Sequence, residues 1–162
     1  DPRNKDLGAR LIINLEKLYL SLKKLELKDS PIDEYYKLSH ELGIPQKNMN
    51  ELQNKLFGIE CNFEELNGID FQKGCYIGQE NTARIKLKNK LSKRLLPIDL
   101  IEGELIQGDL IYNGEFEVGK VLINNQYPFA LIKYLDEHFV RGVVFRCKDA
   151  KLKIKKPDWI KE

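Results

Sequence analysis

From about residue 94 onward, the sequence consists of short apolar runs that alternate with polar residues. Pairs that end in glycine, such as Gln107-Gly108 and Asn113-Gly114, separate these runs. Alternation of period two is typical of strands with one buried face, and glycine provides the conformations that tight turns need. The pattern predicts an all-β region with enough strands to close a small barrel. The predicted strands are Arg94 to Leu100, Asp109 to Tyr112, Phe116 to Ile123, Phe129 to Tyr134, Val140 to Phe145 and Lys151 to Ile154.

The first part of the chain carries mixed signals. The apolar run at residues 9–14 predicts a strand, and the leucine- and lysine-rich stretch at 15–27 fits a helix or a strand equally well. A clearer helix signal follows, because Ser30 can cap a helix and Pro31 suits its first turn. Apolar residues then recur at steps of three or four until Gly43, where the helix is expected to stop.

Weaker signals fill the segment between this helix and residue 70. A short helix is predicted around Met49, Leu52 and Leu56. A further turn of helix is predicted from Phe63 to Leu66, and it should end at Asn67-Gly68, because this pair readily adopts the left-handed conformation.

A change of composition near residues 87 to 92 marks a boundary between the two parts. We therefore expect an α+β domain over residues 1–90 and a β-barrel domain over 91–162. The basic run at 86–94 lies at this boundary and is interpreted as a solvated linker surface, with nucleic-acid contact as the alternative.

Composition excludes several classes of protein. Lys and Arg number 27 against 25 Asp and Glu, a net charge of +2 that is far below that of a dedicated nucleic-acid-binding domain. The cysteines Cys61, Cys75 and Cys147 are too widely spaced for a zinc site, so no metal is expected. No stretch approaches the roughly 20 apolar residues of a membrane-spanning helix. Because the sole methionine is Met49, we expect further sequence upstream.

The segment KGCYIGQENTAR, residues 73–84, is the strongest candidate for a functional site. Two glycines bracket Cys75, Tyr76 and Ile77, and the composition from Gln79 to Lys86 predicts a helix that begins just after Gly78. Glycines allow close approach of the backbone to a ligand, and a helix start presents unpaired amide groups. This loop and helix start are therefore predicted to bind a ligand.

The polar residues of this segment can each have a functional or a purely structural role. Lys73 and the helix start favour the thiolate form of Cys75 and hence a reactive cysteine, whereas most isolated cysteines are simply packed in the protein interior. Gln79 can cap backbone groups. Glu80 and Arg84 are spaced for an ion pair within the helix, worth only about 0.3 kcal/mol.

The sequence KGCYIGQE followed by NTAR resembles the signature of the YgfZ family, which is related to the glycine-cleavage T-protein and to a mitochondrial iron-sulfur assembly counterpart. The opening DPR and LGAR, and the terminal β region, are similar in position to parts of that family. The resemblance implies a T-protein-like folate-binding α+β body, whose second half this chain would hold, followed by a small antiparallel β-barrel.

The resemblance also implies a function and a site. It implies tetrahydrofolate binding and support for iron-sulfur enzymes, including enzymes that modify tRNA. Cys75 matches the cysteine that the family requires, and Lys73 would be its neighbour. Glu60 corresponds to a glutamate that receives pterin hydrogens, a role that suits a carboxylate because it accepts paired donors. The remaining expected folate-side residues are Gln79, Gly74, Tyr76 and Arg84.

Other functions stay open at this stage. An aminomethyltransferase would share the fold, a thiol or redox enzyme would use Cys75 as nucleophile, and a partner-docking module would perform no turnover. The motif does not establish that the protein is an enzyme. Expected partners are folate and iron-sulfur enzymes or assembly proteins, with neither membrane nor direct nucleic-acid binding. The expected location is the cytoplasm, or the mitochondrial matrix in a eukaryote.

Overall fold

A closed six-stranded antiparallel barrel forms the carboxy-terminal part of the protein in the computed structural model, which describes residues 1–74, 79–87 and 91–160. The alternation of apolar and polar residues that predicted these strands directs one face of each strand into the barrel. The strands are β1 (Lys93–Glu102), β2 (Leu110–Asn113), β3 (Phe116–Ile123), β4 (Phe129–Lys133), β5 (Phe145–Cys147) and β6 (Ala150–Ile154).

The strand order around the barrel is β1-β4-β3-β2-β5-β6, so β1 closes the barrel by pairing with both β4 and β6. The predicted barrel is confirmed, and most strands lie within two residues of their predicted bounds. The predicted strand from Val140 to Phe145 is wrong except at Phe145, where β5 begins. Gly142 has a φ of +77°, a turn conformation that interrupts extended backbone before β5.

The interior of the barrel is filled by apolar side chains from its strands. The largest cluster of buried residues comprises Leu96, Ile98, Ile111, Val118, Val121, Ala130, Ile132, Phe145, Cys147, Ala150, Leu152, Ile154 and Ile160. Gly119 permits close packing of β3 on β4, since a Cβ atom at this position would lie 2.7 Å from the Leu131 carbonyl oxygen. The predicted all-β core therefore exists as a single packed unit.

Among the described residues, three α-helices and two 3₁₀ helices lie in the first part of the chain. The predicted helix before Gly43 is confirmed, and Gly43, with a φ of +73°, follows its end. Ser30 does not cap it, because the Ser30 hydroxyl donates to the Glu34 carboxylate instead. The stretch left open as helix or strand forms α1. The helices are α1 (Leu15–Lys24), α2 (Ile32–Glu41) and α3 (Gln79–Leu87), and the 3₁₀ helices are Lys5–Leu7 and Met49–Leu52.

Two local predictions before the motif are wrong. Residues 9–14 do not form a strand, because no described strand pairs with them, and Ile12 is fully exposed. Residues 58–67 form consecutive hydrogen-bonded turns instead of a helix at Phe63 to Leu66. Asn67 at the end of these turns has a φ of 57°, the left-handed conformation that was expected there.

The helical part packs on the barrel through both apolar and polar contacts. Leu52 and Cys61 share a buried cluster with the barrel residues Leu95, Leu122, Ile123 and Phe129. Trp159 donates from Nε1 to the Leu42 carbonyl oxygen at 2.7 Å, which joins the end of α2 to the chain beyond β6. The α+β class is thus confirmed, while the T-protein-like domain and the division at residue 90 stay predictions.

Candidate functional site

Helix α3 (Gln79–Leu87) follows the two glycines of the motif, so the helix that the composition predicted there is confirmed over the described residues. None of its described residues is fully buried, and its last turn carries the basic residues Arg84 and Lys86. The Lys86 ammonium pairs with the Glu64 carboxylate and lies 4.0 Å from the centroid of the Phe71 ring. The ion pair and the cation–π contact attach the end of α3 to the segment that precedes the motif.

Part of the predicted site lies outside the described residues, namely Cys75, Tyr76 and Gly78. Lys73 and Gly74, immediately before this gap, are exposed. A Cβ atom added to Gly74 would meet no atom of the described chain within 4 Å. The described residues therefore leave room for a side chain at position 74, so close packing against them does not explain why this residue is glycine.

The predicted residues at the start of α3 differ in exposure. Gln79 is half-buried, whereas Glu80 and Arg84 are exposed. The expected ion pair between Glu80 and Arg84 is wrong, because no ion pair joins these two described residues. Both side chains remain in water, where an attraction between charges is weak and is offset by the lost freedom of two long side chains.

Glu60 lies in the turn region before the motif, and its position is fixed on two sides. Its Oε2 accepts a hydrogen bond from the Phe57 backbone amide at 3.0 Å. Its backbone carbonyl accepts a hydrogen bond from the Leu95 amide of β1 at 2.8 Å. The other carboxylate oxygen, Oε1, makes no hydrogen bond to the described residues, so it remains able to accept one.

Asn62, Glu65 and Arg94 form a polar cluster beside Glu60, which we call the Asn62 cluster. Arg94 donates to Asn62 Oδ1 at 2.8 Å and pairs with a Glu65 carboxylate oxygen at 2.7 Å. Asn62 in turn donates from Nδ2 to the Leu95 carbonyl oxygen at 2.8 Å. The sequence analysis missed this cluster, because Arg94 is 32 residues away from Asn62 and no local spacing connects the turn to β1.

The two described cysteines are poor nucleophiles. Burial, followed by the negative charge of Glu60, raises the pKa of the Cys61 thiol to about 11. Burial also raises the pKa of the Cys147 thiol, with Asp109 adding to the effect. Because the thiolate is the reactive form, both cysteines are protonated and shielded near neutral pH.

Two of the cavities among the described residues differ in size and in the character of their lining. The larger, of about 930 Å³, lies between α2 and the barrel, and its lining includes Asp33, His40 and Tyr127 but none of the predicted site residues. A smaller and mostly apolar cavity of about 230 Å³ is lined in part by Cys61 and Phe63, which lie close to Glu60 in sequence. The smaller cavity has the more apolar lining of the two, and a mostly apolar lining is typical of sites for small organic ligands.

Other kinds of site receive no support from the described part of the chain. Within residues 1–74, 79–87 and 91–160, no three His, Cys, Asp or Glu side chains are grouped closely enough to hold a metal ion. Among the same residues, no helix has both the length and the apolar composition needed to span a membrane.

Comparison with known proteins identifies iron-sulfur cluster assembly factors among the relatives of this chain. The chain is 40% identical over 101 residues to a mitochondrial iron-sulfur cluster assembly factor IBA57 homologue from Dictyostelium discoideum. It is 36% identical over 97 residues to the homologue from Neurospora crassa, and 36% identical over 105 residues to mouse IBA57. These alignments cover 60%, 60% and 65% of the chain.

The same alignments cover 24%, 22% and 28% of the three relatives, so the chain spans about a quarter of the length of the curated proteins that it matches. All three relatives are described as mitochondrial. No protein family model matches the chain.

Proposed function

We propose that this chain is part of a tetrahydrofolate-binding factor that supports the assembly or repair of iron-sulfur enzymes, including those that modify tRNA. The observation that carries the proposal is its similarity to three iron-sulfur cluster assembly factors from an amoeba, a fungus and a mammal. The location that accompanies this function is the mitochondrial matrix. A role in iron-sulfur cluster assembly also implies contact with other assembly proteins.

The geometry around Glu60 supports the folate part of the proposal. Glu60 is held at its backbone by β1 and at Oε2 by the Phe57 amide, while Oε1 is left to accept a hydrogen bond from a ligand. A pterin ring presents adjacent N–H donors, which a carboxylate can accept together, since each oxygen has two lone pairs. The apolar cavity lined by Cys61 and Phe63 suits the flat face of such a ring.

Titration of tetrahydrofolate into the full-length protein by anaerobic calorimetry tests this assignment. We expect saturable binding that weakens about tenfold or more in Glu60→Gln, because hydrogen bonds to a charged acceptor are worth about 1.5–3 kcal/mol. Glu115→Gln, which removes an exposed carboxylate of the β2–β3 turn, is the matched control and should bind like wild type. Equal binding by wild type and Glu60→Gln would refute the role of Glu60.

The thiol part of the proposal rests on Cys75. Because Cys61 and Cys147 are buried and their pKa values are raised, any thiol chemistry near neutral pH falls to the third cysteine. Brief alkylation of the native protein with iodoacetamide at pH 7.5, followed by peptide mass spectrometry, should label Cys75 far faster than the other two. Equal labelling of all three cysteines would contradict a special reactivity of Cys75.

The cellular form of the test uses Cys75→Ala in cells that lack the wild-type protein. We expect the variant to accumulate normally but to lose the activity of an iron-sulfur enzyme, whereas Cys147→Ala should retain activity wherever it folds. Full rescue by Cys75→Ala would show that the thiol is dispensable. The chemical role of Lys73 is tested in parallel, since Lys73→Met should slow the alkylation of Cys75.

A partner-docking module without turnover is the second candidate, and one observation favours it. Helix α1 buries none of its residues, and Leu15, Tyr19 and Leu20 are exposed. Exposed apolar surface of this kind is typical of a contact with another protein or domain. Formation of a one-carbon product from tetrahydrofolate would instead favour the aminomethyltransferase alternative.

A further inference from the structure

The turn that contains Glu60 is attached to the barrel at two consecutive residues of β1. Leu95 uses both of its backbone groups, since its amide donates to the Glu60 carbonyl oxygen and its carbonyl accepts from Asn62 Nδ2, each at 2.8 Å. Arg94 donates to Asn62 Oδ1 at 2.8 Å. The position of Glu60 relative to the barrel therefore depends on hydrogen bonds in which Asn62 is the central side chain.

Asparagine is well suited to this position for two reasons. Asn62 has a φ of 61°, and asparagine tolerates this left-handed conformation better than most residues other than glycine. Its side chain also supplies one donor and one acceptor at a site where only 1% of the residue is exposed. Both groups are satisfied, by the Leu95 carbonyl and by the Arg94 guanidinium, as a buried amide requires.

The rest of the Asn62 cluster makes this arrangement difficult to replace. The Glu65 Oε1 atom is paired with Arg94 at 2.7 Å, while Glu65 Oε2 is buried and has no hydrogen-bond partner. A carboxylate in these surroundings depends on the neighbouring guanidinium for its stabilisation. Arg94 is thereby held in place, and the same guanidinium nitrogen, Nη1, donates to Asn62 Oδ1.

We propose that Asn62 is a positioning residue that fixes the Glu60 carboxylate against the first strand of the barrel for ligand binding. The proposal rests on the proposed function, in which Glu60 receives the pterin hydrogens of a folate. Asn62 itself does not contact the ligand. It sets the register between the Glu60 turn and β1, so that the Glu60 carboxylate is held in one fixed position relative to the barrel.

The test compares Asn62→Gly with Asn54→Gly in the full-length protein. Glycine retains the left-handed backbone at both sites, and Asn54, with a φ of 60°, is an exposed asparagine whose side chain makes no hydrogen bond to the described residues. Only the first variant therefore removes the bonds to Arg94 and Leu95. We expect about tenfold weaker tetrahydrofolate binding in Asn62→Gly and unchanged binding in Asn54→Gly, measured well below the unfolding transition.

A double-mutant cycle separates positioning from general destabilisation. If Asn62 acts through Glu60, the double variant with Glu60→Gln binds tetrahydrofolate no more weakly than Glu60→Gln alone. Additive losses, or unchanged binding in Asn62→Gly, would overturn the proposal.

Hydrogen exchange measured by mass spectrometry provides a readout that needs no ligand. We expect faster exchange at the Leu95 amide in Asn62→Gly, without a change at the β1 amides that pair with β6. If wild type binds no tetrahydrofolate, the proposed function fails, and the exchange at Leu95 still decides whether Asn62 fixes the Glu60 turn. Unchanged exchange at Leu95 would then refute the positioning role by itself.

Discussion

The barrel and helix α1 lie in the same chain but differ in how they bury apolar side chains. Barrel residues such as Leu96, Ile98 and Val118 are completely buried, whereas α1 has no buried residue and Leu15 is 80% exposed. Because none of its residues is buried, α1 gains little stability from packing on the described residues. A helix of ten residues without such packing is only marginally stable in water. The comparison teaches that the barrel is the stable frame of this chain, and that α1 is free to be covered by something else.

The largest expected effect comes from removing a barrel side chain. Phe145→Ala should lower the free energy of unfolding by about 3–5 kcal/mol, because Phe145 is 1% exposed and its loss leaves a cavity in the core. Leu15→Ala in α1 should change it by less than about 0.5 kcal/mol. Urea denaturation followed by circular dichroism measures both. Similar losses of stability in the two variants would show that α1 contributes to the stability of the protein as much as the barrel core does.

The next effect concerns the bond between the helical part and the barrel. Trp159→Phe should cost about 1–2 kcal/mol, since the Leu42 carbonyl oxygen loses its donor at the end of α2. Tyr19→Phe, which changes an exposed aromatic residue of α1, is the control and should be neutral. Hydrogen exchange should increase in α2 and remain unchanged in the barrel. Equal loss of protection in both parts would show that they unfold as one unit.

The dependence of stability on pH should reveal the α2 interface. His40 is buried, its Nε2 lies 3.1 Å from the Pro128 carbonyl oxygen, and desolvation lowers its pKa below the ordinary value of 6.5. Below pH 6.5 the unfolded chain therefore binds a proton at His40 that the folded protein resists. The free energy of unfolding decreases on acidification, by at most about 1.4 kcal/mol per pH unit. Above that pH the contribution is complete and constant.

Replacement of His40 by glutamine isolates this contribution. Denaturant titrations between pH 5 and 7.5 should show a smaller decrease on acidification for His40→Gln than for wild type. Leu15→Ala, which changes an exposed and non-ionisable side chain of α1, is the control and should keep the wild-type slope. An unchanged slope in His40→Gln would show that other groups determine the acid sensitivity.

The smallest effect is expected on the exposed face of α1. Leu20→Lys should leave the stability of the residues described here within about 0.5 kcal/mol of wild type, because Leu20 is 67% exposed. The prediction is checked by measuring the thermal transition of full-length Leu20→Lys and comparing it with that of Lys17→Leu, a substitution on the same helix. A large loss of stability would show that another part of the full-length protein covers this face.

Local patterns predicted the barrel well, because the strands repeat every two residues and glycines mark the connections that follow β1 and β2. They predicted α2 for the same reason, since Gly43 and the apolar spacing lie within a few turns of one another. The run at residues 9–14 misled the prediction, because an apolar sequence becomes a strand only where a neighbouring strand can pair with it. No strand among the described residues does so.

The candidate site was less predictable, because it depends on contacts between distant residues. The resemblance of the motif selected Glu60, and helix α3 followed from composition. Asn62 and Arg94 are far apart in the sequence, so no local pattern could indicate the hydrogen bond between them. Glu80 and Arg84 have the spacing of an ion pair, but both are exposed to solvent, and spacing alone does not determine exposure. The environment of Cys75 stays a prediction.

The pairing of β1 with β6 has a consequence for the order in which the protein folds. Ile98 pairs with Ile154, so the barrel cannot close until the chain has been synthesised almost to residue 160. Contacts of such large sequence separation are made late and slow the folding of β proteins. During synthesis on the ribosome the Glu60 turn therefore emerges well before its frame is complete. A folate site that includes Glu60 would therefore become competent for its ligand only after all six strands have left the ribosome and closed the barrel.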